Sequence, residues 1–159
     1  MNVSDAWLVD TNFLVYAHDP RDRRKQERAL LVLDRLVATE RAVLSVQCLG
    51  EFFVVTTRRL PDPLSLAEAL AQVERFTRSC RVLPLTPAVV VEGCRGAATH
   101  QLSFWDSLIW ASAKLNQVPI VLTEDAEHGQ SREGVRFLNP FHPGFDLGWI
   151  GAGAGPADC

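Results

Sequence analysis

The stretch Ala6-Trp7-Leu8-Val9-Asp10-Thr11-Asn12 decides the fold, because it joins an apolar run to a polar turn. The apolar run predicts a short buried strand that ends at Asp10. A second segment repeats the arrangement, since Pro119-Ile120-Val121-Leu122 is followed by Thr123-Glu124-Asp125. Strands that are apolar throughout are typical of a parallel sheet that is covered on both faces.

The rest of the chain alternates between strands and helices. Further strands are predicted at 42–44, 82–83 and 135–138, and helices at 21–40, 45–59, 62–79, 86–100 and 103–115. This alternation predicts an α/β fold with three layers, α/β/α, around a central, mostly parallel sheet of about five strands. Residues 1–143 are expected to form one domain, and the glycine-rich segment 144–159 is expected to be a flexible tail.

The composition is that of an ordinary globular protein. The 159 residues are 47% hydrophobic and 22% charged, and the formal net charge is −3. A protein that binds nucleic acid through phosphate neutralisation alone is usually basic. Binding of RNA by this chain would therefore require bound cations or a local basic patch.

One basic cluster stands out, and it consists of Arg21, Arg23, Arg24, Lys25 and Arg28. Three interpretations of this cluster are open: a solvated helix face, a patch that guides phosphates, or a docking site for an acidic partner. The sequence alone does not decide between them.

The cysteines and the apolar segments bear on metal type and location. The four cysteines lack the CxxC spacing of zinc sites, and no histidine lies within three residues of any of them. The first residues do not form a signal-peptide pattern, and no apolar stretch reaches the length that crosses a bilayer. A cytoplasmic location without a membrane partner is therefore expected.

Acidic residues follow two of the predicted strands. Asp10 comes directly after the first strand, and Glu124 and Asp125 come after the fourth, behind Thr123. In open α/β sheets, ligands bind beyond the carboxyl ends of the strands. Acidic residues are also favoured in turns and helix caps, so a purely structural role stays open for each of them.

A further acidic residue, Glu51, lies in the apolar context Leu49-Gly50-Glu51-Phe52-Phe53. Val46, Val54 and their neighbours leave little room for a polar helix face there. A carboxylate in such surroundings is costly unless it is paired or bound to a metal. The alternative is a solvated Glu51 on a narrow exposed strip.

Asp106 lies near the predicted start of a largely apolar helix. It follows Ser103 at capping-box spacing, so it could cap the helix, bind a metal, or do both. Trp105 and Trp110 belong to the same helix and are expected to be buried in the core or at a dimer interface.

Several carboxylates at one edge of a sheet repel one another, and they resist ionising together unless a cation neutralises them. Oxygen ligands suit hard cations such as magnesium or manganese better than zinc. One or two such ions can generate hydroxide and stabilise displacement at a phosphodiester. The acidic residues therefore predict a metal site that would also bridge an acidic protein to an anionic substrate.

Four segments carry these polar residues: Leu8-Val9-Asp10-Thr11-Asn12-Phe13-Leu14, Gly50-Glu51-Phe52, Ser103-Phe104-Trp105-Asp106-Ser107-Leu108-Ile109 and Leu122-Thr123-Glu124-Asp125. In order and spacing they resemble the PIN domain, especially the VapC-like toxins of bacterial toxin–antitoxin pairs. The resemblance extends from about Trp7 to Pro140. It implies a magnesium- or manganese-dependent endoribonuclease that hydrolyses RNA phosphodiester bonds.

The resemblance also implies roles for individual residues. The implied catalytic residues, which are also the implied metal ligands, are Asp10, Glu51, Asp106 and Asp125. By the same match, Asn12 and Thr123 orient the acidic cluster. Glu124 is an addition to the pattern, and it is either a fifth metal ligand or a bystander.

The resemblance further implies partners. Such toxins usually form homodimers, and a cognate antitoxin holds them inactive with a segment that lies across the active-site groove. The implied partners of this chain are therefore an RNA substrate, an antitoxin and a second copy of itself.

Two other functions remain as alternatives. A phosphoryl-transfer enzyme with an aspartate nucleophile needs an acid two residues after the first aspartate, where this chain has Asn12. A non-catalytic interaction module with a PIN-like fold has no need for four carboxylates that repel one another. Cleavage of RNA with and without EDTA distinguishes these alternatives from a metal-dependent nuclease.

Overall fold

The computed structural model of the chain describes residues 5–151. The strands are β1 (Trp7–Val9), β2 (Ala42–Ser45), β3 (Arg81–Leu83), β4 (Ile120–Leu122), β5 (Ser131–Arg132) and β6 (Val135–Leu138). The α-helices are α1 (Thr11–Tyr16), α2 (Arg23–Ala38), α3 (Val46–Arg58), α4 (Leu66–Ser79), α5 (Pro87–His100) and α6 (Phe104–Leu115). A short 3-10 helix follows at Leu147–Ile150. Within the described residues, no helix is both long and apolar enough to span a membrane.

The strands form a single sheet in the order β3-β2-β1-β4-β6-β5. All neighbouring strands are parallel except β5 and β6, which are antiparallel. Every residue of β1, β2 and β4 is buried, because helices cover both faces of the sheet. The predicted three-layer α/β fold with a mostly parallel sheet is confirmed. The sheet has six strands rather than five, since the two-residue β5 is too short to leave a periodic signal in the sequence.

Side-chain oxygens cap the starts of four helices; α3, α5 and α6 begin as predicted, whereas α4 begins at Leu66 instead of at residue 62. Ser45, Ser65, Thr86 and Ser103 are the N-caps of α3, α4, α5 and α6, and each accepts a backbone N–H of the first turn. Such caps satisfy donors that have no partner inside the helix. The caps at Ser45 and Ser103 fix where α3 and α6 begin, and these two helices carry Glu51 and Asp106.

The sequence pattern of α3 predicts a single apolar face with Val46, Leu49, Phe53 and Val54, and this prediction is wrong for the exposed Val46 and Val54. Cys48, Phe52 and Thr56 face the core, and none of them has exposed surface. Val46 and Val54 are instead 50% and 40% exposed. Glu51 therefore lies on a helix that has a second apolar face toward solvent.

The two tryptophans of α6 have opposite environments. Trp110 is fully buried, whereas Trp105 is 59% exposed. The prediction of burial in the core is therefore wrong for Trp105, because the first turn of α6 lies at the surface, where Phe104 is also 40% exposed. A dimer interface at Trp105 stays a prediction.

The segment after Gly144 begins as part of the packed domain. Phe145 and Ile150 are buried in the core, and the Arg28 guanidinium donates to the Phe145 carbonyl oxygen at 3.4 Å. The prediction of a flexible tail is therefore wrong for residues 145–150. The segment is rich in glycine, which led to the prediction of flexibility, but its large apolar side chains pack into the core and hold it in place. The rest of the predicted tail, residues 152–159, lies outside the described residues.

Candidate active site

Four acidic side chains line one open cleft of about 650 Å³ at the carboxyl edge of the sheet. They are Asp10, Glu51, Asp106 and Asp125. Asp10 follows β1 and Asp125 follows β4, and these strands are neighbours, so the sheet itself brings the two residues together. The structure thus gathers the acidic residues that are far apart in the sequence.

Asp10 is the most buried of the four, with 5% of its surface exposed. The Thr11 backbone N–H donates to Asp10 Oδ1 at 2.6 Å, and the Thr123 hydroxyl donates to Oδ2 at 2.8 Å. Burial raises the pKa of Asp10 to about 7, and the negative charges of Asp125 and Asp106 add to this rise. The two hydrogen bonds lower the pKa but do not compensate for the burial.

Asp125 is linked to Asp10 through a shared partner. Its backbone N–H donates to the Thr123 hydroxyl oxygen at 3.1 Å, and the same hydroxyl donates to Asp10. The Asn12 amide donates to Asp125 Oδ2 at 2.9 Å. Burial raises the pKa of Asp125, as do the charges of Asp106 and Glu124. Asn12 and Thr123 therefore occupy the positions that an orienting role requires.

Both oxygens of Glu51 accept hydrogen bonds. The Thr11 hydroxyl donates to Oε2 at 2.8 Å, and the Gln47 amide donates to Oε1 at 2.9 Å. The same Gln47 nitrogen lies 3.3 Å from the Trp105 carbonyl oxygen, so it joins α3 to the first turn of α6. Gln47 is buried, and its Oε1 has no hydrogen-bond partner among the described residues.

Thr11 and Gln47 were not predicted as site residues. Thr11 lies inside the first motif between two predicted site residues, and its polar side chain was a usable signal. Gln47 lies four residues before Glu51 on the same helix, which is the spacing at which helical side chains meet. Its contact with Trp105 depends on tertiary structure and leaves no trace in the local sequence.

Asp106 lies in the first turn of α6 and interacts with the N-cap of that helix. Its backbone N–H donates to the Ser103 hydroxyl oxygen at 3.2 Å, and the Ser103 hydroxyl donates to Asp106 Oδ2 at 2.6 Å. Asp106 also lines the cleft together with Asp10 and Asp125. The geometry therefore places Asp106 where both the capping role and the metal-binding role are available to it.

The sequence pattern of the PIN domain matches residues 7–132, which is most of the chain. This chain belongs to the PIN-domain family. No curated protein sequence matches it. The predicted membership in the PIN-domain family is confirmed.

Several solved structures resemble this PIN domain. VapC20 of Mycobacterium tuberculosis, a sarcin–ricin loop cleaving toxin, is 22% identical, with a TM-score of 0.58 over 73% of this chain and 87% of that chain. FitAcB of Neisseria gonorrhoeae is 24% identical, with a TM-score of 0.58 over 86% and 99%. DNA-bound VapBC of Salmonella typhimurium is 20% identical, with a TM-score of 0.60 over 83% and 96%. At these identities the likeness shows that the fold is shared.

Glu124 is held by residues outside the cleft of the PIN domain. The Lys25 ammonium lies 2.8 Å from Glu124 Oε2, and the Tyr16 hydroxyl donates to the other carboxylate oxygen. Glu124 still acts on the site through its charge, because it contributes to the raised pKa of Asp125. This arrangement favours the bystander interpretation of Glu124 over that of a fifth metal ligand.

The donor chemistry of the cleft fits a hard divalent cation. All four acidic side chains offer carboxylate oxygens, and Mg²⁺ and Mn²⁺ prefer such ligands. Burial raises the pKa of Asp10 and of Asp125, and the neighbouring carboxylates add to the rise, so a bound cation would favour the ionised form of both. Among the described residues, no three His, Cys, Asp or Glu side chains already converge at metal-binding distance. The acidic groups therefore fit a cation by chemistry, although they are not closed around a ready-made site.

One wall of the same cleft is apolar. We call Val46, Val54, Leu85 and Trp105 the apolar wall. All four side chains are at least 40% exposed, although large apolar side chains are usually buried. An exposed apolar surface beside the four acidic residues is typical of a site that contacts a partner molecule.

Proposed function

We propose that this PIN-domain protein is a magnesium- or manganese-dependent endoribonuclease that hydrolyses RNA phosphodiester bonds. The observation that carries the proposal is the convergence of Asp10, Asp106 and Asp125, which come from separate elements, on one cleft. There burial and the neighbouring negative charges raise the pKa of Asp10 and of Asp125. Mutually repelling carboxylates destabilise a fold, so a cluster of them is typical of a functional site.

The side chains divide into ligands and supports. Asp10, Asp106, Asp125 and Glu51 would hold the cation, and when bound the cation supplies a hydroxide nucleophile at neutral pH and neutralises charge on the phosphate. Thr123 keeps one Asp10 oxygen in place, and Asn12 does the same for Asp125. Thr11 and Gln47 hold Glu51 from both sides. The chain thus fixes the direction of its ligands before a cation or a substrate arrives.

The proposal includes partners and a biological role. We infer that the protein is the toxin of a cytoplasmic toxin–antitoxin pair, that it forms a homodimer, and that an antitoxin segment covers the apolar wall. The exposure of Val46, Val54 and Trp105 beside the acidic residues supports a protein partner at this place. The toxin–antitoxin complexes among the similar structures support the same inference.

The test is cleavage of a mixed-sequence RNA by the purified protein. We expect cleavage with Mg²⁺ or Mn²⁺, little cleavage with Ca²⁺, and none in excess EDTA, because Ca²⁺ takes a looser coordination shell. Asp125→Asn should reduce the rate at least about 100-fold through loss of a charged ligand. Glu127→Gln is the matched control, since Glu127 is an exposed acid two residues further along the chain. Full activity in EDTA would refute the metal requirement, and no cleavage with any of these metals would favour the interaction module.

A further inference from the structure

A second cleft, of about 450 Å³, lies between the start of α2 and the segment that follows β6. We call it the basic cleft, because its lining has three cations, Arg24, Lys25 and Arg28, and one acidic residue, Asp22, beside the rings of Phe141 and His142. The Asp22 carboxylate is the N-cap of α2 and accepts the Lys25 backbone N–H at 3.0 Å. Aromatic rings beside cations are the combination with which proteins bind single-stranded nucleic acid. Rings accept bases by stacking, and the cations contact phosphates.

Of the three cations in the basic cleft, Lys25 and Arg28 are held by other groups of the protein, whereas the Arg24 guanidinium is available to bind a ligand. Lys25 forms an ion pair with Glu124 at 2.8 Å, and Arg28 donates to the Pro140 carbonyl oxygen at 2.9 Å. Arg28 therefore builds the wall of the cleft and keeps its positive charge, since a carbonyl group is neutral. Arg24 is exposed and has no acidic partner among the described residues.

The neighbouring arginines differ from Arg24 in this respect. Arg21 pairs with Asp19 at 2.6 Å, and Arg23 pairs with Glu27 at 3.0 Å. Neither Arg21 nor Arg23 lines the basic cleft. The basic cluster is therefore not a uniformly charged helix face, because its unpaired charge is concentrated at the cleft.

The basic cleft is connected to the acidic residues by a short path. Asp125 lines the cleft that also holds Asp10, Glu51 and Asp106, which we call the acidic cleft. Its chain neighbour Glu124 binds Lys25, and Lys25 lines the basic cleft. Lys25 neutralises Glu124, so an anionic strand that passes this point meets an ion pair rather than a free carboxylate. The Lys25 ammonium also lies 5.2 Å from the centroid of the Phe141 ring, within the range of a cation–π interaction.

We propose that the basic cleft binds the RNA strand that flanks the scissile phosphate, with Arg24 as its phosphate contact. The stacking surface is the face of the exposed His142 ring that is not already stacked on His128. The inference rests on the proposed nuclease function. An acidic protein segment would also be attracted by Arg24, but it would make no use of the adjacent rings. The combination of charge, rings and continuity with the acidic cleft favours RNA.

The test separates binding from cleavage. The affinity for a fluorescein-labelled, single-stranded 12-nucleotide RNA of mixed sequence is measured by anisotropy in excess EDTA, over a series of salt concentrations. For Arg24→Ala we expect an affinity about 5- to 10-fold lower at low salt. The slope of the logarithm of the binding constant against the logarithm of the salt concentration should become shallower by about 0.7, which is the value for one phosphate contact on a single strand. Arg23→Ala is the matched control, and its affinity should change less than about twofold, because it removes the same charge outside the cleft.

Three results would overturn the inference. In the first, Arg24→Ala binds RNA as tightly as the wild type. In the second, Arg23→Ala weakens RNA binding as much as Arg24→Ala does, which would mean that RNA is attracted by the overall charge of the helix surface. Arg24→Ala could instead weaken binding of poly-glutamate while leaving RNA binding unchanged, which would identify an acidic partner as the ligand.

A kinetic measurement distinguishes this inference from the proposed function. With Mg²⁺ present, Arg24→Ala should raise KM and leave kcat unchanged, since the contact is remote from the reacting phosphate. A wild-type protein that binds RNA through Arg24 but never cleaves it would refute the nuclease and leave the binding site intact. A wild-type protein that cleaves RNA, with the same KM after Arg24→Ala, would refute the binding site alone.

Discussion

Gln47 is the residue whose role is most specific to the tertiary structure. Its amide nitrogen donates to Glu51 and lies close to the Trp105 carbonyl oxygen, while its own oxygen is buried without a partner among the described residues. A buried oxygen without a hydrogen bond costs about 1–3 kcal/mol. We infer that Gln47 is a positioning residue, because its amide nitrogen holds Glu51 although its side-chain oxygen is then left without a hydrogen bond.

Gln47→Met tests this role, since methionine has a similar length and no hydrogen-bonding amide. We expect kcat for RNA cleavage to fall about 10-fold, as one hydrogen bond to a charged group is lost. KM should stay unchanged, and the melting temperature should not decrease, because the buried unpaired oxygen is removed as well. Gln72→Met on α4 is the control. A variant with the wild-type kcat would show that Thr11 alone suffices to hold Glu51.

At the scale of residues, the sequence predicted the acidic members of the cleft better than their supports. Asp10 and Asp125 were predictable because each directly follows an apolar strand, and the ends of parallel strands meet at one edge. Gln47 was not predictable in its full role, since its partner Trp105 lies on another helix. The contact between Glu124 and Lys25 joins residues about 100 positions apart and likewise leaves no local pattern.

At the scale of elements, the beginning of α6 decides where Asp106 stands. Ser103 both caps the helix and donates its hydroxyl to the Asp106 carboxylate. Ser103→Ala should cost about 1 kcal/mol of stability, which lowers the melting temperature by about 2–4 °C in a protein of this size. It should also reduce the cleavage rate, because the Asp106 side chain loses the donor that fixes its direction.

Ser65→Ala provides a control with the same chemistry. Ser65 caps α4 and forms a capping box with Glu68, and α4 contributes nothing to the lining of the acidic cleft. This variant should lose about the same stability and keep full activity. Differential scanning calorimetry and RNA cleavage are measured for both variants. If Ser103→Ala also keeps full activity, the interaction between Ser103 and Asp106 serves the helix only.

The starts of α3, α5 and α6 were predictable because capping is a local event, whereas the predicted α4 wrongly included the four residues before Leu66. Ser45, Ser65, Thr86 and Ser103 each bond to residues within the next turn, so the sequence contains the whole interaction. The buried face of α3 was not predictable in the same way. Val46 and Phe52 are both apolar, and only the packing against the sheet decides which of them is exposed.

At the scale of the whole molecule, the acidic cleft lowers the free energy of unfolding when its carboxylates are ionised and no metal is bound. The pKa of Asp10 is about 7 in the folded protein, compared with an ordinary value of 3.8. Between these values the unfolded chain has already released the proton and the folded chain still holds it. Stability in the absence of metal therefore falls as the pH rises from about 4 to about 7, by on the order of a few kcal/mol.

A cation should reverse this loss. Excess Mg²⁺ should raise the melting temperature by about 5–10 °C at pH 8, where Asp10 is mostly ionised and can bind the ion directly. The increase should be smaller at pH 5, because Asp10 is then protonated and must release its proton before it can bind the ion. The measurement is thermal unfolding with Mg²⁺ and with EDTA at both pH values.

Asp10→Asn is the decisive variant for this balance. In EDTA it should melt at a higher temperature than the wild type at pH 8, with the difference disappearing toward pH 4, because asparagine has no charge to bury. It should also lose most of the stabilisation by Mg²⁺, since it lacks the buried carboxylate. Asp62→Asn, at an exposed position outside the acidic cleft, should keep the full Mg²⁺ response. Asp10 is also the N-cap of α1, and a lower melting temperature for Asp10→Asn in EDTA would mean that this capping role dominates. An unchanged Mg²⁺ response would place the cation elsewhere.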